Sequence, residues 1–355
     1  MRIHQQKLIQ LITETPSYKE ADLSVVFSQY KPQELAHLFA DVTFLISVFK
    51  FIQEQHWIEK SKKASDVIFS EFVKKFFKEE LSPVLFFHAS LSETSIDKMD
   101  SYKSIAENIQ KSVLDFAKTF KFPDNKIFAE QTMKLMSELF EFEYQLTLSK
   151  NEKGLSLGYS LYRAFDIIDS FFNFEYSTED DIEKTNPNQE RLYQGSGSAV
   201  QSSYTTILLA LRYLKMNKGS RFIDLGSGFG RVGLVLGLLR PYIQFTGYEF
   251  VQKRVETADH ASQALNMSSH VHFQSQDLSA KDFSIPEADI YYLYDPFNEE
   301  TYAHVISQLS LIAKNKKVTI ITKGNAKDHF MNSSAKGIWS KPQVFEHGNF
   351  CLFRS

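Results

Sequence analysis

The sequence predicts a helical amino-terminal domain followed by an α/β domain. The α/β part is expected to hold an open, mostly parallel sheet that ends in an antiparallel hairpin. Three observations carry this. All 14 glycines of the 355-residue chain lie at or beyond Gly154. The glycine-free stretch repeats its apolar residues at helical spacing. After about residue 200, short β-like runs alternate with helical ones, the rhythm of a parallel sheet covered by helices.

The helical part comes first. Glycine costs about 1 kcal/mol inside a helix, so a long stretch without it, rich in Lys, Glu, Phe and Leu, reads as helix. Ile68, Phe69, Phe72, Val73, Phe76 and Phe77 form one stripe, opposite Ser70, Glu71, Lys74, Lys75 and Lys78. Ile105, Ile109, Val113, Phe116 and Phe120 repeat at the same spacing, as do Leu135, Leu139, Phe142 and Leu146. Pro32, Pro83 and Pro123 mark breaks between helices. Charge marks the join. Residues 151–190 carry a net charge of −6 and residues 191–355 a net of +5. We therefore divide the chain into a helical domain over 1–176, an acidic and Gly/Ser-containing linker over 177–198, and an α/β domain over 199–355.

In the second part, Arg221–Leu225 reads as a strand ending at a glycine-rich turn, and Val232–Leu239 as the helix after it. Ile243–Glu249 is the next strand and Arg254–Leu265 the next helix. His270–Ser275 and Asp289–Tyr294 are strands three and four. A helix over Glu299–Ala313 leads to a fifth strand at Lys317–Thr322. The final residues read as two strands around His347-Gly348-Asn349. In such sheets ligands bind at the carboxyl ends of the strands.

Composition sets outer bounds. A charged fraction of 23% and a net charge of −3 argue against a strongly basic nucleic-acid binder. A single cysteine, Cys351, excludes a disulfide framework and any multi-cysteine metal centre. The most apolar stretch, Leu38–Ile52, is interrupted by Asp41 and Lys50, so no membrane span is expected. The start lacks the apolar run of a secretory signal, which makes the cytoplasm the expected location. His270 and His272 share a strand face without an evident third ligand, so no metal is expected.

The chemistry concentrates in Phe222-Ile223-Asp224-Leu225-Gly226-Ser227-Gly228-Phe229-Gly230-Arg231. A strand delivers an aspartate, then glycines at alternate positions, then a helix whose amides face a ligand. Two cofactors compete. Gly228-x-Gly230-x-x-Gly233 matches the dinucleotide fingerprint. Asp224, however, would repel a pyrophosphate and attract the ammonium and sulfonium of S-adenosylmethionine. Glu249 ends the next strand, where an acid accepts from both ribose hydroxyls. Asp277 follows the third strand, where a carboxylate accepts from the adenine amino group. Phe250 and Leu278 flank these two acids.

On FIDLGSGFGR, TGYEF, QDL, YDPFN and the terminal hairpin, residues 195–355 resemble the class I, seven-stranded S-adenosylmethionine-dependent methyltransferases, a Rossmann-like fold. The turn also looks like a subset that includes the non-SET histone-lysine methyltransferases. The resemblance implies that Asp224, Gly226, Ser227, Gly228 and Gly230 hold the methionine part of the cofactor. It implies ribose contact for Glu249 with Phe250, and adenine-side contact for Asp277 with Leu278. At the tip of strand four, amino-group methyltransferases carry Asn/Asp-Pro-Pro-Tyr/Phe. Here the motif is Asp295-Pro296-Phe297, without the second proline. The resemblance makes these three the expected catalytic residues, with Asp295 orienting an amine or accepting a proton and Phe297 shielding the site. The alternative for this tip is a strand-ending turn that caps the next helix through Asn298. Tyr193, Gln194 and Tyr204 are placed to close over the ligand. The favoured acceptor is a protein side chain such as lysine, ahead of RNA or a small molecule. A catalytically idle interaction protein and an NAD-dependent oxidoreductase are the alternatives.

Overall fold

Proline has its φ preset and lacks a donor that the first helical turn cannot use. Pro32 accordingly opens the longest helix among the described residues, while Glu34 Oε2 accepts a 2.8 Å bond from the Lys31 amide just before it. The computed structural model describes residues 11–12, 20–62, 71, 96–149, 161, 163–174, 176, 201–332, 337–345 and 350–355. The chain divides into two compact units, Met1–Phe171 and Phe172–Ser355. The stripe over residues 68–77, Pro83, the linker over 177–198 and the turn at His347-Gly348-Asn349 lie outside the described residues.

In the first unit, α1 (Glu20–Phe27), α2 (Pro32–Lys62), α3 (Ile96–Ala117) and α4 (Asp124–Ser149) are described. α2 packs against both α3 and α4. It buries Leu35, Phe39, Val42, Leu45, Phe49 and Ile52. By length and composition α2 could cross a membrane, which corrects the expectation that Asp41 and Lys50 prevent any such segment. Yet 78% of its most apolar window is buried inside the protein, as in the core helix of a helical bundle. Burial pushes the Asp41 carboxyl up to about 6. Two polar side chains in this core pair with each other: Gln110 Nε2 donates to Thr43 Oγ1 at 2.7 Å, and that hydroxyl donates to the Phe39 carbonyl.

Phenylalanines fill the space between the helices. The Phe128 ring lies 6.2 Å from Phe39, 6.4 Å from Phe120 and 5.1 Å from Phe171, within the range where tilted ring pairs attract. α4 buries Phe128, Thr132, Met133, Met136 and Phe140. Leu135 and Leu139 are only partly buried, so the inward face is rotated from the leucine stripe that the spacing suggested. The side chains of Phe142 and Leu146 lie outside the described residues.

In the second unit, β1 (Arg221–Leu225), β2 (Gln244–Glu249), β3 (Val271–Ser275), β4 (Ile290–Tyr294), β5 (Thr319–Lys323), β6 (Gln343–Phe345) and β7 (Phe350–Arg354) form one seven-stranded sheet. The order is β3-β2-β1-β4-β5-β7-β6. The first five strands pair in parallel; β7 runs antiparallel to β5 and β6 antiparallel to β7. This is the Rossmann-like sheet with a terminal hairpin that the sequence predicts, the first five strands agreeing within one or two residues. The helices are α5 (Tyr204–Tyr213), α6 (Arg231–Leu239), α7 (Gln252–Ala264), α8 (Glu299–Asn315) and α9 (Ala326–Asn332). α5 and α9 had no counterpart in the sequence reading.

Strand alternation sorts the sheet's two faces. Ile223, Leu225, Tyr291, Leu293, Ile320, Cys351 and Phe353 join Tyr302, Val305, Ile306 and Leu309 of α8 in one core. Alternation places Phe222, Asp224, Tyr292, Tyr294 and Lys323 on the opposite face. Burial raises the Cys351 thiol above its ordinary value, as for a small apolar core residue.

We expect Phe128→Ala to lower the unfolding free energy by about 3–5 kcal/mol. Trp57→Ala, at a side chain 70% exposed, should change it by less than about 0.5 kcal/mol. Urea denaturation followed by circular dichroism distinguishes the two; equal effects would contradict this core.

Candidate active site

The sheet order reverses direction between β1 and β4, which leaves a crevice at their carboxyl ends. Gly226 follows β1 and Pro296 follows β4, and here the two loops touch. A Cβ on Gly226, whose φ is +95°, would lie 2.5 Å from Pro296 Cβ. Around this contact a cavity is lined by residues that include Gln201, Ser202, Asp224, Gly226, Ser227, Gly228, Arg231, Tyr248, Glu249, Phe250, Arg254, Leu278, Tyr292, Tyr294, Pro296 and Phe297.

β1 delivers Asp224 into this wall, opposite Gly247 of β2 and Tyr292 of β4. Asp224 is 2% exposed. Its Oδ1 and the Ser227 hydroxyl have no hydrogen-bond partner among the described residues. Burial, and secondarily the charge of Glu249, raises the Asp224 carboxyl well above its ordinary 3.8. A buried carboxylate with an unanswered oxygen is costly unless a cation or donor meets it.

The glycine turn faces inward more than expected. The amides of Gly226 and Ser227 donate to the Tyr248 carbonyl at 2.9 and 2.8 Å. Gly230 donates to the Ser227 carbonyl at 2.9 Å, and Gly228 donates to Glu249 Oε2 at 2.8 Å. These four amides of the loop before α6 are therefore committed within the protein. The glycines instead permit close approach: a Cβ on Gly228, at φ +55°, would sit 2.8 Å from the Gln201 amide nitrogen.

Glu249 ends β2 in the cavity wall, as expected. Its Oε1 accepts from the Val251 amide at 3.1 Å and from Arg254 at 3.2 Å. Phe250 and Leu278 also line the cavity, but Asp277 is not among its lining residues. The Asp277 Oδ1 accepts from the amide and hydroxyl of Ser279 at 2.8 and 2.6 Å. An aspartate two residues before a serine closes its own local turn. The expected ligand contact is thus replaced by a local turn at Asp277, and Leu278, its neighbour, lines the cavity.

Strand four ends as a turn. Asp295 has φ +44°, which strains a non-glycine residue by about 1–3 kcal/mol. Its Oδ2 accepts from Asn325 Nδ2 at 3.2 Å and its Oδ1 from the Tyr302 hydroxyl at 3.5 Å. Pro296 and Phe297 line the cavity; Asp295 does not. The carboxylate expected to orient an acceptor is thus turned toward α8 and the loop after β5. Asn298 caps α8 by accepting from the Thr301 amide at 2.9 Å, as the turn alternative held.

Several cavity residues carried no signal that we recognised in the sequence. Arg231, the first residue of α6, is 1% exposed. It donates to the Ser202 carbonyl at 2.7 Å and lies 4.6 Å over the Tyr204 ring. Tyr204 is buried at the start of α5, beneath that guanidinium, rather than closing over a ligand. Tyr193 and Gln194 lie outside the described residues. Ser202 Oγ pairs with the Tyr292 hydroxyl at 2.6 Å. The neighbouring Ser203-x-x-Thr206 cap, with the Thr206 amide donating to Ser203 at 3.2 Å, is the sequence signal for the start of α5. His270 is buried and lies 3.4 Å from the Gly237 carbonyl, whereas His272 is exposed, so the two do not share surroundings.

No protein-family model matches the chain, and no curated protein matches it. Solved structures are similar to part of it. TrmN from Thermus thermophilus is 18% identical, with a TM-score of 0.36, over 43% of this chain and 48% of that one. An RNA methyltransferase from Salinibacter ruber, solved with S-adenosyl-L-homocysteine, is 15% identical, with a TM-score of 0.32, over 42% and 87%. The O-methyltransferase of a trans-AT PKS multienzyme of Brevibacillus brevis, also solved with S-adenosyl-L-homocysteine, is 14% identical, with a TM-score of 0.28, over 42% and 47%. The chain spans about half the length of TrmN and of the Brevibacillus protein.

A raised carboxyl means that the folded protein keeps a proton the unfolded chain has released. Stability from Asp224 is therefore full below the ordinary aspartate range and falls as pH climbs toward the raised value. We expect Asp224→Asn to remove that part of the slope of melting temperature against pH; identical slopes in both proteins would contradict the burial argument.

Proposed function

We propose that the α/β unit is an S-adenosylmethionine-dependent methyltransferase. The observation that supports this best is Asp224: a buried carboxylate with one oxygen unanswered, beside Glu249, under a glycine turn whose amides are already bonded. A dinucleotide pyrophosphate needs amide donors. Here the amides of Gly226, Ser227, Gly228 and Gly230 in the loop are committed, and a carboxylate stands beside them. A cationic nucleoside suits the same wall.

The residues present fit such a cofactor. Asp224 and Ser227 would take the ammonium, and Gly226, Gly228 and Gly230 let that part reach the backbone. Glu249 would accept from the ribose hydroxyls, with Phe250 and Leu278 against the base. When bound, the cofactor supplies a methyl group on a positively charged sulfur. The protein's own work is alignment and exclusion of water, and Tyr294, Pro296 and Phe297 form the wall suited to it.

For the acceptor we put forward an amine on a protein side chain, such as lysine. The wording of the turn, DLGSGFGR followed by GYE, supports a place near the non-SET lysine methyltransferases. In this reading the helical unit selects or covers the acceptor.

Two measurements test the proposal. S-adenosylmethionine at a hundred times its Kd should stabilise the protein by about 2.7 kcal/mol, seen as a higher Tm, while NAD should leave Tm unchanged. A shift with NAD alone, or with neither, would refute the cofactor. Labelled methyl from S-adenosylmethionine, given with the protein to a fractionated lysate, should enter the protein fraction; label in RNA or in small molecules instead would overturn the acceptor while keeping the reaction.

A further inference from the structure

The Asp295 carboxylate is the group at the strand-four tip that the cavity does not use, and its surroundings say what it does. Asp295 sits in the left-handed region at φ +44°, which aspartate tolerates better than most residues but which persists only where neighbours hold it. Three neighbours do so. Tyr302 of α8 and Asn325 after β5 each donate to one carboxylate oxygen, at 3.5 and 3.2 Å. Gly324, at φ +70°, lets the β5 loop come close: a Cβ there would lie 3.2 Å from Asp295 Cβ.

The same tyrosine braces the next residues. Its ring meets Phe297 edge-on at 5.2 Å and stacks on His329 at 4.0 Å, with the planes 12° apart. Pro296, between the two held residues, presses on Gly226. The conformation of Asp295 therefore sets where Pro296 and Phe297 stand in the cavity wall.

We propose that Tyr302 and Asn325 are positioning residues for methyl transfer. They clamp the Asp295 carboxylate so that Pro296 and Phe297 are fixed against the glycine turn. The acceptor then meets Tyr294, Pro296 and Phe297, and Asp295 touches neither acceptor nor cofactor. This rests on the methyltransferase reading of the cavity.

The test uses the full chain and two readouts besides turnover: amide hydrogen exchange over residues 294–298, and the Kd for S-adenosylhomocysteine. Tyr302→Phe removes only the hydroxyl and keeps the ring packing. We expect Tyr302→Phe, Asn325→Ala and Asp295→Asn each to speed exchange at the tip and to weaken S-adenosylhomocysteine binding roughly five-fold, the scale of one ordinary hydrogen bond lost. The pair Asp295→Asn with Asn325→Asp exchanges donor and acceptor and should restore both readouts toward wild type. Wild-type exchange and affinity in Tyr302→Phe and Asn325→Ala would overturn the clamp, and so would a pair no better than its single changes. If Asp295→Asn loses turnover while exchange and affinity stay at wild-type values, Asp295 acts on the acceptor directly and the proposal is wrong. Failure of the wild-type protein to bind S-adenosylhomocysteine would overturn the methyltransferase reading instead, and the exchange measurements would still judge the clamp.

Discussion

Burying a carboxylate with one oxygen unanswered is the constraint around which the α/β unit is arranged. Asp224 lies on a central strand, between β2 and β4, almost wholly buried. The turn that follows cannot relieve it, because the amides of Gly226, Ser227 and Gly228 bond to the Tyr248 carbonyl and to Glu249. Glu249 in turn is held by Arg254, itself buried, at 3.2 Å. The second acid of the wall is thus neutralised inside the protein and the first is not. In the proposed reading, that asymmetry suits a cation next to Asp224.

Sheet topology does the rest. Parallel pairing in the order β3-β2-β1-β4-β5 brings the ends of β1, β2 and β4 to one crevice, although they are separated by some 25 to 70 residues in the chain. Pairing of Tyr294 with Lys323 carries the same sheet face on to β5, where Lys323 Nζ donates to Thr206 Oγ1 of α5 at 2.5 Å. α5 is thereby tied over the face that holds Asp224, Tyr292 and Tyr294. Residues Gln201 and Ser202, just before α5, enter the cavity wall by this route.

Much of this was legible in the chain. The Asp-x-Gly-x-Gly-x-Gly turn is local, because each glycine answers a φ or a contact within one loop. The strands were legible because buried parallel strands are short apolar runs. What was not legible depends on partners distant in sequence. The inward bonding of the loop amides needs Tyr248 and Glu249 from the next strand. The clamp on Asp295 needs Tyr302 and Asn325 from two separate elements. Arg231 reads as an ordinary polar residue at a helix start until α5 is placed beside it. Asp277 is the exception: the Asp-Leu-Ser sequence carries its own turn, closed by bonds from Ser279 to the Asp277 carboxylate. In the helical unit, Leu135 and Leu139 share the spacing of a buried stripe, yet α4 turns the Phe128, Met136 and Phe140 side inward, where Phe39 of α2, Phe120, Phe165 and Phe171 meet it.

The ionisation of Asp224 itself is the most direct measure of whether a cation belongs beside it. Infrared difference spectra on adding S-adenosylmethionine, with carboxyl-labelled aspartate, report that state. At a pH below the raised value of the free protein, the account requires a protonated-carboxyl band to give way to a carboxylate band in the wild-type protein and no such change in Asp224→Asn. An unchanged carboxyl region in the wild type, or the same change in both proteins, would contradict it.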